Sequence, residues 1–276
     1  MVHALTFGLV GLVAGALGAT VGLGGGVVIV PVLSLFLGVP IHEAIGASIV
    51  GVVATSTTAA VGYVRHDLAN IRLGITLETA TTLGAVGGGL TAAALDRETL
   101  SGIFGTVTIL VAAYMLYKQY RFGATPDPAE STGLYGGRYF DPNLGRVVSY
   151  RVRRLPVGLL ASLVAGNLSG LLGVGGGVIK VPVMTMAMGV PVKAATATSN
   201  FMIGVTAAAS AYIYYTRGFV NPMIAGPVAL GVAAGALAAS RLAPRAGGGR
   251  IMVLLSLVLV ALSVQMILAA FGLRVR

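Results

Sequence analysis

The sequence Gly22-Leu-Gly-Gly-Gly-Val-Val-Ile-Val-Pro31 is written twice along this chain. At a spacing of 151 residues it returns as Gly173-Val-Gly-Gly-Gly-Val-Ile-Lys-Val-Pro182. Thirteen of 28 positions are identical between residues 22–49 and residues 173–200. Each copy lies between apolar runs, and non-helical backbone at membrane depth is tolerated only inside protein or beside a polar cavity. A glycine-interrupted segment repeated in both halves therefore indicates the binding site of a transporter.

The composition is that of a polytopic membrane protein. The chain has 276 residues, of which 56% are hydrophobic and 9% are charged, and its mean hydropathy is +0.93. A soluble domain carries roughly a quarter charged residues. The absence of cysteine excludes disulfides and thiolate metal sites. The net charge of +10 comes from residues between apolar spans, which favours membrane topology over nucleic-acid binding.

Ten apolar segments, five in each half, predict an all-α membrane protein with two inverted repeats. A spanning helix needs about 20 residues. The third to fifth segments of each half qualify, whereas the first two are short and predict a short-helix or re-entrant hairpin around the glycine loop. An odd number of crossings per half inverts the second repeat. The predicted domains are residues 1–120, a cytoplasmic linker at 121–155 and residues 156–276. The segments are 5–20, 27–37, 43–64, 71–95 and 100–120, then 156–172, 178–188, 194–216, 222–242 and 250–271.

Lysine and arginine placement orients the predicted helices. With the linker in the cytoplasm, thirteen basic residues fall inside and four fall outside, a bias of the expected sign. Both termini then face outward. The predicted location is the inner (cytoplasmic) membrane, which the chain crosses several times. The four outside residues are Arg97, Arg217, Arg274 and Arg276.

The linker contains a predicted β-hairpin. Residues 134–140 and 146–153 are rich in aromatic and β-branched side chains, and residues 141–145 supply turn formers. A solvated connection between the repeats and a regulatory or partner-binding element are both open readings of this hairpin.

The two glycine triplets predict an anion site. Glycine lets a ligand or a second backbone approach closely, and the unpaired N–H groups at a helix start attract negative charge. Helices starting at Val27 and Val178 would direct such groups to the centre from opposite sides. The alternative is close helix packing through small residues. The triplets are Gly24, Gly25 and Gly26 in the first repeat, and Gly175, Gly176 and Gly177 in the second.

The third segment of each half adds uncharged hydrogen-bond donors. Two repeat-equivalent hydroxyl pairs stand seven residues apart and share a helix face, and two asparagines stand where the other repeat has Ala16 and Ile49. The alternative is hydroxyl bonding to the helix's own carbonyls and close packing. The predicted substrate ligands of this kind are Ser48, Thr55, Asn167, Ser199, Asn200 and Thr206.

Two charged residues break the repeat symmetry inside apolar segments. Lys180 stands where the first repeat has Ile29, and Glu78 stands where the second has Ala229. Charges at membrane depth are costly and mark function, so we predict substrate binding or gating for Lys180 and proton or cation coupling for Glu78. The alternatives are snorkelling of Lys180 to the interface and an interfacial position of Glu78 near Arg72.

Neither metal chemistry nor catalysis is indicated by the sequence. No His, Asp and Glu cluster has metal-ligand spacing, and no Ser, His and Asp order suggests a hydrolase. We therefore predict no enzyme activity, no metal and no cofactor.

The doubled Gly-x-Gly-Gly-Gly-x-x-x-x-Pro, each copy followed by Gly-Val-Pro, resembles the sulfite exporter TauE/SafE family, also called the TSUP transporters. The basic linker before Leu155-Pro156-x-Gly158 is similar as well. The resemblance covers essentially the whole chain. It implies an inverted-repeat carrier for small sulfur-containing anions such as sulfite, thiosulfate, sulfoacetate or other sulfonates.

Together, the residues and the resemblance predict a secondary transporter that works by alternating access. The predicted partners are a small sulfur oxyanion or sulfonate and the lipid bilayer, without nucleic acid, and a homodimer is left open. An anion channel, a permease for another small anion and a membrane-embedded subunit without transport of its own are the alternatives. The carrier hypothesis expects the two glycine bends to meet around a space that admits a solute.

Overall fold

Among the described residues, each half of the chain contributes five α-helices, in the order that the apolar segments predict. The computed structural model describes residues 2–21, 24–65, 67–121, 133–141, 145–242 and 248–271. The first half contains α1 Val2–Val21, α2 Gly26–Pro31, α3 Ile41–Arg65, α4 Ile71–Ala94 and α5 Arg97–Arg121. Strands β1 Gly137–Asp141 and β2 Arg146–Tyr150 follow. The second half contains α6 Leu155–Leu172, α7 Gly177–Met186, α8 Val192–Thr216, α9 Pro222–Leu242 and α10 Gly248–Ala270.

Three helices of the described residues are long and apolar enough to cross a membrane: Arg97–Leu116, Leu155–Leu172 and Pro222–Ala239. This set differs from the predicted one, because it includes α6 and leaves out α10, of which only the shorter stretch Ser256–Ala270 is apolar among the described residues. It also leaves out α3, α4 and α8. Those three helices are long, with 25, 24 and 25 residues. They are less apolar because they carry buried polar side chains toward the centre, among them Ser48, Glu78 and Thr206.

The second helix of each half is short, as predicted, and both end in the same way. Helix α2 has six residues and continues beyond Pro31 as a π-helical turn over Val32–Phe36. Pro31 has no backbone N–H to donate, and the change in hydrogen-bond pattern follows it directly. Helix α7 has 10 residues. The glycine-proline turns that follow reverse the chain through Gly38 and Gly189, whose φ angles are 65° and 74°. By contrast, α1 and α6 have 20 and 18 residues, close to spanning length.

The main helix pairs each consist of one helix from the first half and one from the second. Helix α1 packs on α9, and its counterpart α6 packs on α4, while α3 packs on α8 and α5 on α10. Glycines allow these close contacts. A Cβ at Gly84 would lie 2.0 Å from the carbonyl oxygen of Leu163, and a Cβ at Gly235 would lie 2.0 Å from that of Leu12. These are repeat-equivalent contacts, so one packing scheme is used twice.

At one end of the bundle, the start of α3 meets the turn between α8 and α9. The Asn221 side chain donates a hydrogen bond to Glu43 Oε2 at 3.1 Å. The His42 ring stacks on Phe219 with a centroid distance of 4.7 Å. This end therefore carries the N-terminus of α3 and the C-terminus of α8.

The hairpin marks the other end. Lys193, at the start of α8, donates to Asp141 Oδ1 at 2.7 Å, and Asn70, in the turn after α3, donates to the Tyr135 carbonyl at 2.8 Å. Each of α3 and α8 has 25 residues, a length of about 37 Å. The two repeat-equivalent helices thus run in opposite directions, and His42 and its counterpart Lys193 lie at opposite ends.

The predicted hairpin forms, and it packs on the helix bundle. The strands are antiparallel, with Gly137 opposite Tyr150. Its inner face, Tyr139, Val148 and Tyr150, is buried in one apolar cluster with residues of α4, α7 and α8. A fully solvated connection is therefore wrong for the strands, because apolar side chains fill their inner face. The predicted turn residues 142–144 lie outside the described residues.

Candidate functional site

Both glycine loops have the backbone conformation that only glycine adopts readily. Gly24 and Gly25 have φ angles of 73° and 78°, and Gly175 and Gly176 have φ angles of 87° and 67°. An L side chain is strained in this left-handed region. Gly25 and Gly176 cap the N-termini of α2 and α7. The helices start at Gly26 and Gly177, one residue before the predicted starts.

The two loops touch each other in the interior. A Cβ at Gly26 would lie 2.2 Å from the carbonyl oxygen of Gly173 and 2.8 Å from Ser48 Oγ. Ser48 donates a hydrogen bond of 2.9 Å to that same carbonyl. Because Ser48 and Gly26 belong to the first repeat and Gly173 to the second, this contact joins the two copies of the motif.

A closed space of about 140 Å³ lies beside this contact, and no part of it is wide enough for a water molecule. Among the described residues of the two loops, this conformation therefore lacks the solute-sized opening that we expected. Aliphatic side chains fill the space and the Ser48 hydrogen bond holds the loops together. The lining residues are Ile49, Val52, Ser169, Gly173, Gly175, Ala207 and Ser210.

The repeat-equivalent serines differ in their hydrogen bonding. Ser48 is paired with Gly173, whereas Ser199 Oγ is fully buried and has no hydrogen-bond partner among the described residues. A buried hydroxyl without a partner costs about 1–3 kcal/mol. Ser199 is thus a donor in the interior that a ligand could use. Thr55 lies beside the first loop, where its hydroxyl is within 3.3 Å of the Gly24 carbonyl and 3.1 Å of the Gly51 carbonyl.

Lys180 and Glu78, predicted separately, form one buried ion pair. Lys180 Nζ lies 3.6 Å from Glu78 Oε2, and the side chains are 0% and 8% exposed. Thr206 joins them, because its hydroxyl donates to Glu78 Oε1 at 2.6 Å and accepts from Lys180 Nζ at 3.2 Å. The alternative prediction that Lys180 snorkels to the interface is therefore wrong. The alternative that Glu78 lies at the interface near Arg72 is also wrong, because Arg72 donates to the Leu134 carbonyl instead.

The two predicted asparagines lie in different places. Asn200 is buried, and its backbone carbonyl accepts a hydrogen bond from Ser56 across the α3–α8 interface. Asn167 is half-buried in a groove between α4 and α6 that is also lined by Leu83 and Leu163. Asn167 is not among the residues that line the closed space between the loops.

Two further serines, neither of them predicted as a site residue, line that closed space. Ser169 and Ser210 stand where the first repeat has Gly18 and Ala59. The comparison of repeat-equivalent positions that selected the asparagines would have found both. Among the described residues, no group of three or more His, Cys, Asp or Glu side chains could hold a metal ion.

Comparisons with known proteins identify a family of membrane transporters. The family model described as "Sulfite exporter TauE/SafE" matches residues 7–266. The chain is 30% identical over 220 residues to the "Probable membrane transporter protein YunE" of Bacillus subtilis, which covers 77% of this chain and 78% of that protein.

Two further relatives have similar names. The "Probable membrane transporter protein MJ0441" of Methanocaldococcus jannaschii is 28% identical over 214 residues, 75% of this chain and 71% of that protein. The "Probable membrane transporter protein YdhB" of Bacillus subtilis is 24% identical over 237 residues, 86% and 87% of the two chains. No solved structure gives a significant match. With the family match spanning almost its whole length, the chain belongs to the sulfite exporter TauE/SafE family of membrane transporters.

Proposed function

We propose that this protein is a secondary carrier of a small sulfur-containing anion, sulfite or an organosulfonate such as sulfoacetate, across the inner (cytoplasmic) membrane. The observation that carries the proposal is the contact of the two glycine loops at Gly26 and Gly173. The buried hydroxyl of Ser199, which has no hydrogen-bond partner among the described residues, adds a donor in the interior. Helix starts carry unpaired N–H groups, and together with hydroxyl donors such groups bind anions. The sulfur-containing substrate and outward transport rest on the family's name.

The arrangement of the repeats supports alternating access. Repeat-equivalent helices α3 and α8 run in opposite directions, and α1 on α9 repeats the packing of α6 on α4. In carriers with inverted repeats, one repeat moves against the other around a central site. The closed space between the loops fits the occluded stage of such a cycle. An anion channel would need a continuous path during conduction.

The substrate is tested first by binding. Purified protein is screened by thermal shift with sulfite, thiosulfate, sulfoacetate, isethionate and taurine. A ligand that binds only the folded state raises the melting temperature. A shift with one of the four anions but not with zwitterionic taurine is expected. Absence of any shift would count against a sulfur-containing substrate.

Transport is tested by flux of the ³⁵S-labelled anion into proteoliposomes. Ser199→Ala should raise the KM roughly ten- to hundredfold, because one hydrogen bond to a charged group contributes about 1.5–3 kcal/mol. The matched control is Ser263→Ala, because Ser263 is a buried serine on α10 that donates to the Leu259 carbonyl. Wild-type flux in both Ser199→Ala and Lys180→Ala would remove these residues from the mechanism.

Two further measurements on the purified protein separate the carrier from the alternatives. Single-channel current in a planar bilayer would identify an anion channel, and flux that appears only with a partner chain would identify a subunit. Saturable flux by the purified chain without unitary current is the result expected of a carrier.

A further inference from the structure

The buried ion pair connects the two repeats through their charges. Glu78 lies on α4 of the first repeat, and Lys180 lies on α7 of the second, with 3.6 Å between Nζ and Oε2. Two charges in a low-dielectric interior are tolerated only while each has its counter-charge. An event that removes one partner must therefore neutralise or compensate the other.

The carboxylate is only half satisfied. Glu78 Oε1 accepts hydrogen bonds from Thr206 at 2.6 Å and from Thr82 at 3.3 Å. Glu78 Oε2 is buried and accepts no hydrogen bond among the described residues. The Lys180 ammonium at 3.6 Å is its only charged neighbour there and lies beyond hydrogen-bond distance. Oε2 is therefore available to accept a proton.

The lysine also has donors to spare. An ammonium group has three N–H donors, and in the described part of the chain Lys180 Nζ makes one hydrogen bond, to Thr206. Thr206 is followed by Ala207, which lines the closed space between the glycine loops. Among the described residues, Lys180 is the only buried cation, so it is the buried positive charge available to an anion in the interior.

The charges of the neighbouring helices do not compensate a separated pair. Helix α6 has no titratable side chain, and α7 has only Lys180. On α8, Lys193 is paired with Asp141, and Tyr214 donates to the Leu171 carbonyl. Arg72 of α4 donates to a carbonyl beside the hairpin. The other two titratable side chains of α8, Tyr212 and Tyr215, are exposed. Arg217, at the C-terminal cap of α8, is exposed as well.

From this geometry we propose that each anion bound at Lys180 is taken up together with one proton bound at Glu78. The inference rests on the proposed carrier function and adds that anion transport is coupled to a proton. In the unloaded pair, the carboxylate and the ammonium sum to zero charge. In the loaded site, the anion replaces the carboxylate beside Lys180 and the carboxylate takes a proton on Oε2. For a monovalent anion the sum is again zero, so transport is electroneutral.

The experiment measures proton and anion movement in the same proteoliposomes. The probes are ³⁵S-isethionate, a monovalent sulfonate, and ³⁵S-sulfite, with a pH dye inside the vesicles. Wild-type protein should acidify the lumen by one proton for each isethionate. The membrane potential should not change its rate. As the outside pH falls from 8 to 6, the KM for isethionate should fall by up to about tenfold per pH unit, the limit for one linked proton.

Glu78→Gln tests the acceptor, because it keeps the shape of a protonated carboxyl group but takes up no proton. Its flux should be independent of pH, should move one proton fewer per anion than the wild type with either probe, and should depend on the membrane potential. The matched control is Glu98→Gln, an exposed carboxylate at the start of α5. If Glu78→Gln does not fold, the wild-type proton count and its insensitivity to potential decide alone.

The possible failures are distinguishable. A wild type that moves neither probe overturns the proposed function and this inference with it. A wild type that moves a probe without the accompanying proton, or a Glu78→Gln variant that retains the proton and the pH dependence, overturns the coupling and leaves the carrier function standing.

Discussion

Gly26 is the residue at which the two copies of the motif come closest. Gly26→Ala would place a methyl group 2.2 Å from the Gly173 carbonyl oxygen, so the loops must separate. Overpacking of this kind costs about 1–3 kcal/mol. We expect a lower melting temperature in detergent and a loss of flux. The control is Gly226→Ala, because a Cβ there meets no atom within 4 Å. Equal melting temperatures in the two variants would contradict the contact.

The ion pair makes a prediction about stability that is independent of transport. Removing one partner of a buried pair costs about 3–5 kcal/mol, because the other charge is left uncompensated. We therefore expect both Lys180→Met and Glu78→Gln to lower the melting temperature. The double variant should recover most of the loss. Additive losses in this double-mutant cycle would show that the two residues do not interact.

The sequence identified both members of this pair but not the pair itself. Lys180 and Glu78 were selected because each puts a charge where the other repeat has an apolar residue. Their contact depends on how α4 packs on α8 and how α7 packs on α8, which a single sequence does not encode locally. Ser169 and Ser210 were missed because serine in a membrane helix usually bonds its own backbone.

At the scale of the element, the hairpin is held to the bundle by a buried tyrosine. The Tyr150 hydroxyl accepts a hydrogen bond from Asn70 at 3.2 Å. Burial raises the pKa of Tyr150 above its ordinary value, a change that the Asn70 hydrogen bond opposes and the charge of Tyr139 reinforces. The hairpin packing is therefore complete below the unfolded pKa of about 10 and weakens as the pH rises through the raised pKa.

This pH dependence can be followed by limited proteolysis. Subtilisin should cleave the hairpin of the wild type increasingly as the pH rises above about 10, the unfolded pKa of tyrosine, because ionised Tyr150 cannot stay buried. Tyr150→Phe should be cleaved slightly faster at pH 8, since a hydrogen bond worth about 1 kcal/mol is lost, but with a weaker rise at high pH. Identical pH profiles for the two proteins would exclude this role of Tyr150.

The sequence was a good guide to the elements and a poorer guide to their environment. Turn formers between runs of aromatic and β-branched residues predicted the hairpin, and the structure contains its two strands. Its docking could not be predicted, because the partners of Tyr139 and Val148 come from helices far along the chain. Likewise, hydropathy alone undervalues α3 and α8, whose polar faces are buried against each other.

At the scale of the whole molecule, the doubled motif explains why one packing scheme serves two halves. The contact of Gly84 with Leu163 is repeated by the contact of Gly235 with Leu12. Two opposed copies of one unit can exchange their environments when each rocks against the other. Lys180 and Glu78 break this equivalence, because each has an apolar residue at the equivalent position of the other repeat. The two repeats therefore share their packing but not their charges.

Opposed repeats predict opposite membrane sides for equivalent loops. The natural chain has no cysteine, so single cysteines can be labelled with an impermeant maleimide on intact cells. Pro40→Cys, before α3, and Arg217→Cys, after α8, should react from outside. Lys193→Cys, at the start of α8, and Phe140→Cys, on the hairpin, should react only after permeabilisation, because the excess of basic residues predicts a cytoplasmic linker. The cysteine-free parent is the control. Labelling of Pro40→Cys and Lys193→Cys from one side would make the repeats parallel, and reversal of all four would leave them inverted but turn the orientation around.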